Sequence, residues 1–267
     1  MFVIVLILLG LCFGSFINAL VYRLHARKGH RYSIINGRSM CPHCKHELAP
    51  KDLIPLLSWA YLRGKCRYCS KPISRQYPLV ESSTAVLFVL SYLFWPYELV
   101  STENLVAFTF WLILLVGFIA LTIYDLKYLI LPNRLIFPLA IIAVAGIAAE
   151  VLLLGGIAPL TTAFWGLIVG GGIFYVLFQV SAGKWIGGGD VKLGFLLGAV
   201  VGGPWAAFLM LFLASLIGTI YALPQMLTGR LEAKSRIPFG PFLIIAAIIV
   251  QLFGSGIIDW YQNLFSF

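Results

Sequence analysis

The sequence predicts an all-α polytopic membrane protein of about eight transmembrane helices, with a small cytoplasmic zinc-binding insert between the first two. Three observations carry this. Hydrophobic residues make up 61% of the 267 positions and charged residues 11%, against about 25% charged in soluble domains. Eight apolar runs reach or approach the roughly 20 residues that cross a hydrocarbon core of about 30 Å; they cover 2–22, 79–95, 105–124, 135–154, 160–180, 190–203, 205–224 and 238–255. With these spans, all 19 Lys and Arg residues fall on one face, which the positive-inside rule makes cytoplasmic.

The first run has no basic residue ahead of it, and no small-x-small site precedes Arg23. It reads as a retained span rather than a cleaved signal peptide. Gly10 and Gly14 suit close helix packing, Cys12 a small packing position, and Asn18 a hydrogen bond to a neighbouring helix. Both termini then face outward. The loops on that side hold Glu98, Glu103 and Asp259 and no base. The net charge of +9 is therefore a topology signal. It favours anionic lipid headgroups as partners and needs no nucleic acid.

Residues 23–78 form the polar insert and carry twelve of the 19 bases. The insert contains Cys41-Pro42-His43-Cys44 and, 21 residues on, Cys66-Arg67-Tyr68-Cys69. Two C-x2-C knuckles supply four thiolates for a tetrahedral zinc site, although the spacer slightly exceeds the usual range of about 15–20 residues. A reducing cytoplasm favours metal over disulfides. Such a site is closed to water, hence structural, and metal binding would supply folding energy that so small an insert lacks. Iron suits the same ligands, and a redox pair is the competing reading, without a thioredoxin-like context to support it. His25, His30, His43 and His46 share the insert; four cysteines already complete the site, so the histidines read as solvated or structural.

Two acids stand out among the later spans. Asp125 follows the apolar run 105–124, and Asp190 closes Gly187-Gly188-Gly189-Asp190. Ionisable groups at membrane depth are costly and mark function. The topology puts both at the cytoplasmic ends of their spans, as a pair sharing a proton requires. The three glycines before Asp190 suit an unusual backbone that admits an extended peptide, or a simple turn into a helix. Lys127 and Lys192 lie near the acids and either tune them or anchor the spans. Gly194, Gly198 and Gly202, like Gly166, Gly170, Gly171 and Gly172, read as helix-packing stripes. Pro132 and Asn133 open the fourth span. Pro238-Phe239-Gly240-Pro241 cannot be regular helix throughout and suits the border of a cavity.

Taken together, these blocks resemble the bacterial type IV prepilin peptidase family, the GxGD-type membrane aspartic proteases. Gly14-Ser15-Phe16-Ile17-Asn18 with Tyr22-Arg23-Leu24 resembles the first-span signature. Arg38-Ser39-x-Cys41-Pro42-x-Cys44, Asp52-Leu53-Ile54-Pro55-x-x-Ser58-Trp59, Arg63-Gly64-x-Cys66-Arg67-x-Cys69 and Ile73-Ser74-x-x-Tyr77-Pro78-x-x-Glu81 continue it. Asp125-x6-Pro132 and Gly187-x-Gly189-Asp190-Val191-Lys192-Leu193 resemble the two catalytic blocks, and Pro238-Phe239-Gly240-Pro241 the last. Two positions depart: Gly188, where the family varies, and Asn133, where many members carry aspartate.

The resemblance implies an intramembrane aspartic endopeptidase of the bacterial inner membrane, akin in motif to presenilin-type enzymes. It would cut the leader from prepilins or pseudopilins of type IV pilus, type II secretion or competence systems, after a glycine on the cytoplasmic side. It also implies N-methylation of the new N-terminus with S-adenosylmethionine, with the insert tied to that second activity; it assigns no methyl-donor contact to a residue. The implied organisation is a first helix at 1–22, a zinc-binding domain at 23–78 and a seven-helix peptidase domain at 79–267. Asp125 and Asp190 are the expected catalytic pair and Cys41, Cys44, Cys66 and Cys69 the metal ligands. Gly187, Gly189, Pro238, Gly240 and Glu81 are the expected supports or substrate path. From the residues alone, a transporter or a pilus-export scaffold with a zinc-stapled domain is the alternative.

Overall fold

A computed structural model describes residues 1–26, 38–229 and 237–265. His30 and the bases Arg27, Lys28, Arg31, Arg230, Lys234 and Arg236 lie outside the described residues. Among the described residues the regular elements are helices and two isolated β-bridges, and the chain divides into two compact units, Met1–Leu93 and Phe94–Phe267.

The first unit pairs α1 (Phe2–Ala26) with α3 (Gln76–Leu93). Small residues let the backbones meet: a Cβ at Gly14 would lie 2.6 Å from the Cα of Glu81. Ile17, Val21, Val80, Ala85 and Phe88 are buried along this unit. Asn18 crosses the seam as expected, donating to the Tyr77 carbonyl at 3.3 Å and accepting from Gln76 Nε2 at 3.1 Å. Cys12 is not a packing residue; it is exposed on the outer face of α1.

The insert is built on a repeat with an offset of 25 residues. In the first knuckle, Cys41 N–H donates to His46 O, Lys45 N–H to Cys41 O and Leu48 N–H to Ser39 O. In the second, Cys66 N–H donates to Lys71 O, Ser70 N–H to Cys66 O and Ile73 N–H to Gly64 O. Lys45 and Ser70 take matching positive φ values of 60° and 57°. Between the knuckles run a 3-10 turn (Pro50–Asp52) and the short α2 (Leu57–Tyr61).

The second unit comprises α4 (Thr102–Tyr128), α5 (Asn133–Leu154), α6 (Ala158–Val180), α7 (Gly188–Val201), α8 (Pro204–Leu227) and α9 (Gly240–Phe265). Ser101 caps α4 by accepting from Asn104 N–H. Leu115, Phe118 and Leu121 of α4, Leu193 and Leu197 of α7, Met210 of α8, and Leu243 and Ile244 of α9 form the fully buried core.

Eight long helices thus occupy the eight expected runs, and among the described residues six are long and apolar enough to cross a membrane; α3 and α7 are not among them. α7 has 14 residues, about 21 Å at 1.5 Å per residue. It stops because Gly202 and Gly203 take φ of 65° and 72° before Pro204 opens α8. Gly202 is therefore a helix end, not part of the packing stripe. The stripe proper is Gly194 and Gly198 against Gly170 and Gly166 of α6, where a Cβ at Gly170 would lie 2.8 Å from the Cα of Gly198. Gly171 meets the Phe195 ring, while Gly172 has open space and packs against nothing. α9 runs about three turns beyond the expected end at 255, so Asp259 lies within helix.

Candidate active site and metal centre

Asp125 sits in the last turn of α4, which Leu129 ends by adopting φ 53° and donating its amide to the Asp125 carbonyl. The Asp125 side chain is buried, 5% exposed. Its carboxylate accepts from the backbone amide of Gly240, the first residue of α9. A helix N-terminus presents unsatisfied N–H groups and the positive end of the dipole, a natural partner for an anion.

Asp190 meets the same kind of partner on its own helix. Gly187 is the N-cap of α7, and Asp190, three residues on, reaches back to accept from the Gly187 amide. This is half of a capping box. Gly187 has φ −74° and ψ 144°, and Gly188 and Gly189 belong to the helix. The glycine run therefore does not take the unusual backbone expected of it. Its contribution is room: a Cβ at Gly189 would lie 3.1 Å from the Cβ of Leu131. The two carboxylates lie within each other's electrostatic reach, although they come from separate helices. α9 packs against both α4 and α7, and so does α5.

Leu131 was not among the sequence candidates, yet it touches both halves of the site. It also lies against Gly240, where a Cβ would come within 3.3 Å of Leu131 Cδ2. Only its place between Asp125 and Pro132 could have signalled this. Pro238 and Phe239 are non-helical and half-buried, as expected; the Phe239 ring stands 5.8 Å from that of Phe174, edge to face. Lys192 does not address the acids. Its ammonium donates to Asn133 Oδ1 at 3.0 Å and lies 6.0 Å from the Phe137 ring centre. Lys127 is exposed.

In the first unit, the sulfurs of Cys41, Cys44, Cys66 and Cys69 all lie within 4.8 Å of one another, and Cys41 and Cys69 are 3.9 Å apart. Four thiolates about 2.3 Å from one ion stand about 3.8 Å apart in a tetrahedron, so the donor set fits a metal ion. The Lys71 amide draws the Cys69 thiol down, but burial and the three neighbouring thiols outweigh it and push it up to about 11. Without a cation these sulfurs cannot all ionise. Asp52 braces the second knuckle: it accepts from Arg67 Nε at 2.6 Å, Tyr68 Oη at 2.9 Å and the Ala49 amide at 3.2 Å. His43 and His46 stay outside the cluster; both are exposed, and His46 stacks on Tyr68.

Residues 8–95 match the bacterial peptidase A24 N-terminal domain, and residues 112–223, which hold both aspartates, match the type IV leader peptidase family. A protein of Aeromonas salmonicida is 35% identical over 96% of this chain and 92% of its own length. One of Bacillus subtilis is 34% identical over 97% and 98%. The chain belongs to the type IV leader peptidase family.

A third member of the family, from Pseudomonas aeruginosa, is 33% identical over 100% of this chain and 95% of its own. All three relatives carry the name prepilin leader peptidase/N-methyltransferase. No solved structure matches. The leader-peptidase match covers parts of α4 to α8, and the N-terminal match falls within the first unit and the two residues after it. Membership therefore divides along nearly the same line as the fold.

Proposed function

We propose that the chain removes the leader peptide of type IV prepilins or pseudopilins and methylates the N-terminus that cleavage exposes. The observation that carries this reading is the pairing of Asp125 and Asp190, each held by a backbone amide at a helix N-terminus. Two carboxyls at such range titrate as a unit and share one proton. The ionised member takes a proton from water, whose oxygen bonds to the scissile carbonyl carbon. The protonated member donates to the carbonyl oxygen. The C–N bond then breaks and the leaving nitrogen takes a proton. Gly240 borders the Asp125 carboxylate and Gly187 that of Asp190, while Gly189 leaves space beside Leu131; with Pro238 two residues before Gly240, these small residues leave room for an extended peptide.

The same reading places the enzyme in the bacterial inner membrane with its basic loops in the cytoplasm. Cys41, Cys44, Cys66 and Cys69 hold zinc, whose contribution is to fold the insert rather than to act on substrate. S-adenosylmethionine supplies the methyl group when bound: its C–S bond breaks as the N–C bond forms, and a proton leaves the nitrogen. Phe94–Phe267 is the peptidase half and Met1–Leu93 serves methyl transfer.

The test is cleavage of a prepilin by the purified chain, Asp125→Asn and Asp190→Asn, with product masses recorded with and without S-adenosylmethionine. Wild type cuts after the leader glycine and both folded variants are inactive. Full cleavage by either variant removes the pair and reopens a transporter or scaffold role.

A further inference from the structure

The sequence offered Glu81 as a support or part of the substrate path, without fixing which. The structure buries it at the seam of three segments, 6% exposed. Its α-carbon packs on Gly14 of α1. Its carboxylate accepts from the Ser15 hydroxyl and, at 2.8 Å, from the backbone amide of Leu56 in the insert. Burying a carboxylate is costly unless it is hydrogen-bonded, and here its partners come from both α1 and the insert.

Leu56 is itself unusual. It has φ 59° and ψ −50°, and Leu57 N–H donates to Pro55 O at 2.6 Å. This is a γ-turn of the rare, strained hand. A side-chain-bearing residue there costs on the order of 1–3 kcal/mol and persists only where its surroundings over-determine it. Glycines such as Gly64 and Gly155 and side-chain-bearing residues such as Lys45 and Leu129 both take positive φ in this chain. At residue 56 it keeps leucine and holds the amide with a buried acid. The turn launches α2, which carries Trp59 back onto the second knuckle: its ring lies 2.9 Å from a Cβ built at Gly64, and its Nε1 donates to Ile73 O. The same turn leaves Leu57 and Tyr61 outward, 69% and 79% exposed.

We propose that Glu81 is a positioning residue for methyl transfer: by holding the Leu56 amide, it sets the strained turn that aims Ile54–Tyr61 from the insert. The proposal rests on the assignment of methyl transfer to the first unit. That assignment follows from the dyad's being built wholly from α4, α7 and α9 of the second unit, which leaves the first for the other activity. Glu81 touches no reacting atom; it acts through the turn.

The experiment uses the full chain in lipid nanodiscs with a prepilin and S-adenosylmethionine, reading leader cleavage and methyl addition separately by mass. Glu81→Leu removes the acceptor, and Glu81→Gln keeps an acceptor oxygen in the same place. Glu81→Leu loses about tenfold or more in the kcat of methylation, since small misplacements cost that much, while cleavage stays within about twofold. Glu81→Gln recovers at least about a third of the methylation rate, because a neutral carbonyl still accepts from the Leu56 amide. The proposal is overturned if Glu81→Leu methylates at the wild-type rate, if Gln does no better than Leu, or if cleavage and methylation fall in parallel. A wild-type chain that cuts but never methylates overturns instead the assignment beneath it.

Discussion

Gly240 lies against Asp125 so closely that a Cβ placed on it would stand 2.7 Å from the carboxylate oxygen. The close approach lets the first amide of α9 reach that carboxylate. Gly240→Ala therefore either pushes the carboxyl away or tilts the helix end. A displacement of about 1 Å can cost on the order of a hundredfold in rate, so cleavage falls at least about tenfold. Circular dichroism and melting temperature stay near wild type. A Gly240→Ala enzyme of full activity would show that the amide contact does not matter.

The stripe between α6 and α7 gives a paired prediction. At Gly170 an added methyl meets the backbone of Gly198 at 2.8 Å and the Gly194 carbonyl at 2.9 Å, and backbone cannot move aside as a flexible side chain can. Gly170→Ala destabilises by about 1–3 kcal/mol, the usual range for overpacking. Gly172 lies two residues on and meets nothing within 4 Å. Gly172→Ala gains up to about 1 kcal/mol in helix propensity. Thermal unfolding in detergent checks both; the order of the two melting temperatures is the result that matters.

Much of this was legible because it is local. Four cysteines in two C-x2-C groups and two acids at the edges of apolar runs announce themselves without a fold, and the run 190–203 is visibly the shortest of the eight, although Gly202 read as packing rather than as a helix end. Contacts distant in sequence were not legible. Nothing in Pro55-Leu56-Leu57 reveals a strained turn, since no glycine marks it and its acceptor is 25 residues away. The length of α9 was hidden because Gly254, Ser255 and Asp259 look like an end, yet a helix can continue past the hydrocarbon where water and headgroups satisfy its polar side chains. The glycines before Asp190 suggested backbone freedom, whereas Gly189 leaves space beside Leu131 and Gly187 beside the Asp190 carboxylate.

The four thiols predict what metal removal does. Cys41→Ser or Cys66→Ser, or prolonged chelation, lowers metal content from one ion per chain towards none. Loss of the ion removes folding free energy from the insert, so proteolysis between Arg38 and Arg75 rises steeply. Metal analysis and limited proteolysis of the same samples test this; an insert that stays protected without metal would contradict it.

Asp52 gives a dependence on pH. Burial pushes its carboxyl up, but the bonds from Arg67, Tyr68 and the Ala49 amide outweigh this and hold it below its ordinary value. A group whose folded pKa is depressed contributes fully above its unfolded value, about 3.9, and loses that contribution as pH falls through the folded one. Asp52→Asn therefore exchanges amide hydrogens faster than wild type across Leu48–Tyr61 at neutral pH. The difference shrinks below about pH 4. A gap that widened on acidification would reverse the sign and reject the assignment.

Lys192 and Asn133 supply the last prediction, and its size is the point. Their 3.0 Å bond links the start of α5 to the second turn of α7, but both side chains are exposed. Exposed polar and ionic contacts contribute about 0.2–1 kcal/mol. Lys192→Met thus lowers stability by no more than about 1 kcal/mol and leaves the Asp190 bond to Gly187 intact, because that bond lies within α7 itself. Asn133→Asp turns the contact, already made by a charged donor, into an ion pair and stabilises by a similar amount, more at low salt than at high. Melting curves at two ionic strengths measure this. If Lys192→Met instead abolished cleavage while the fold held, the ammonium would be acting on substrate or on the acids, against the geometry that points it at Asn133.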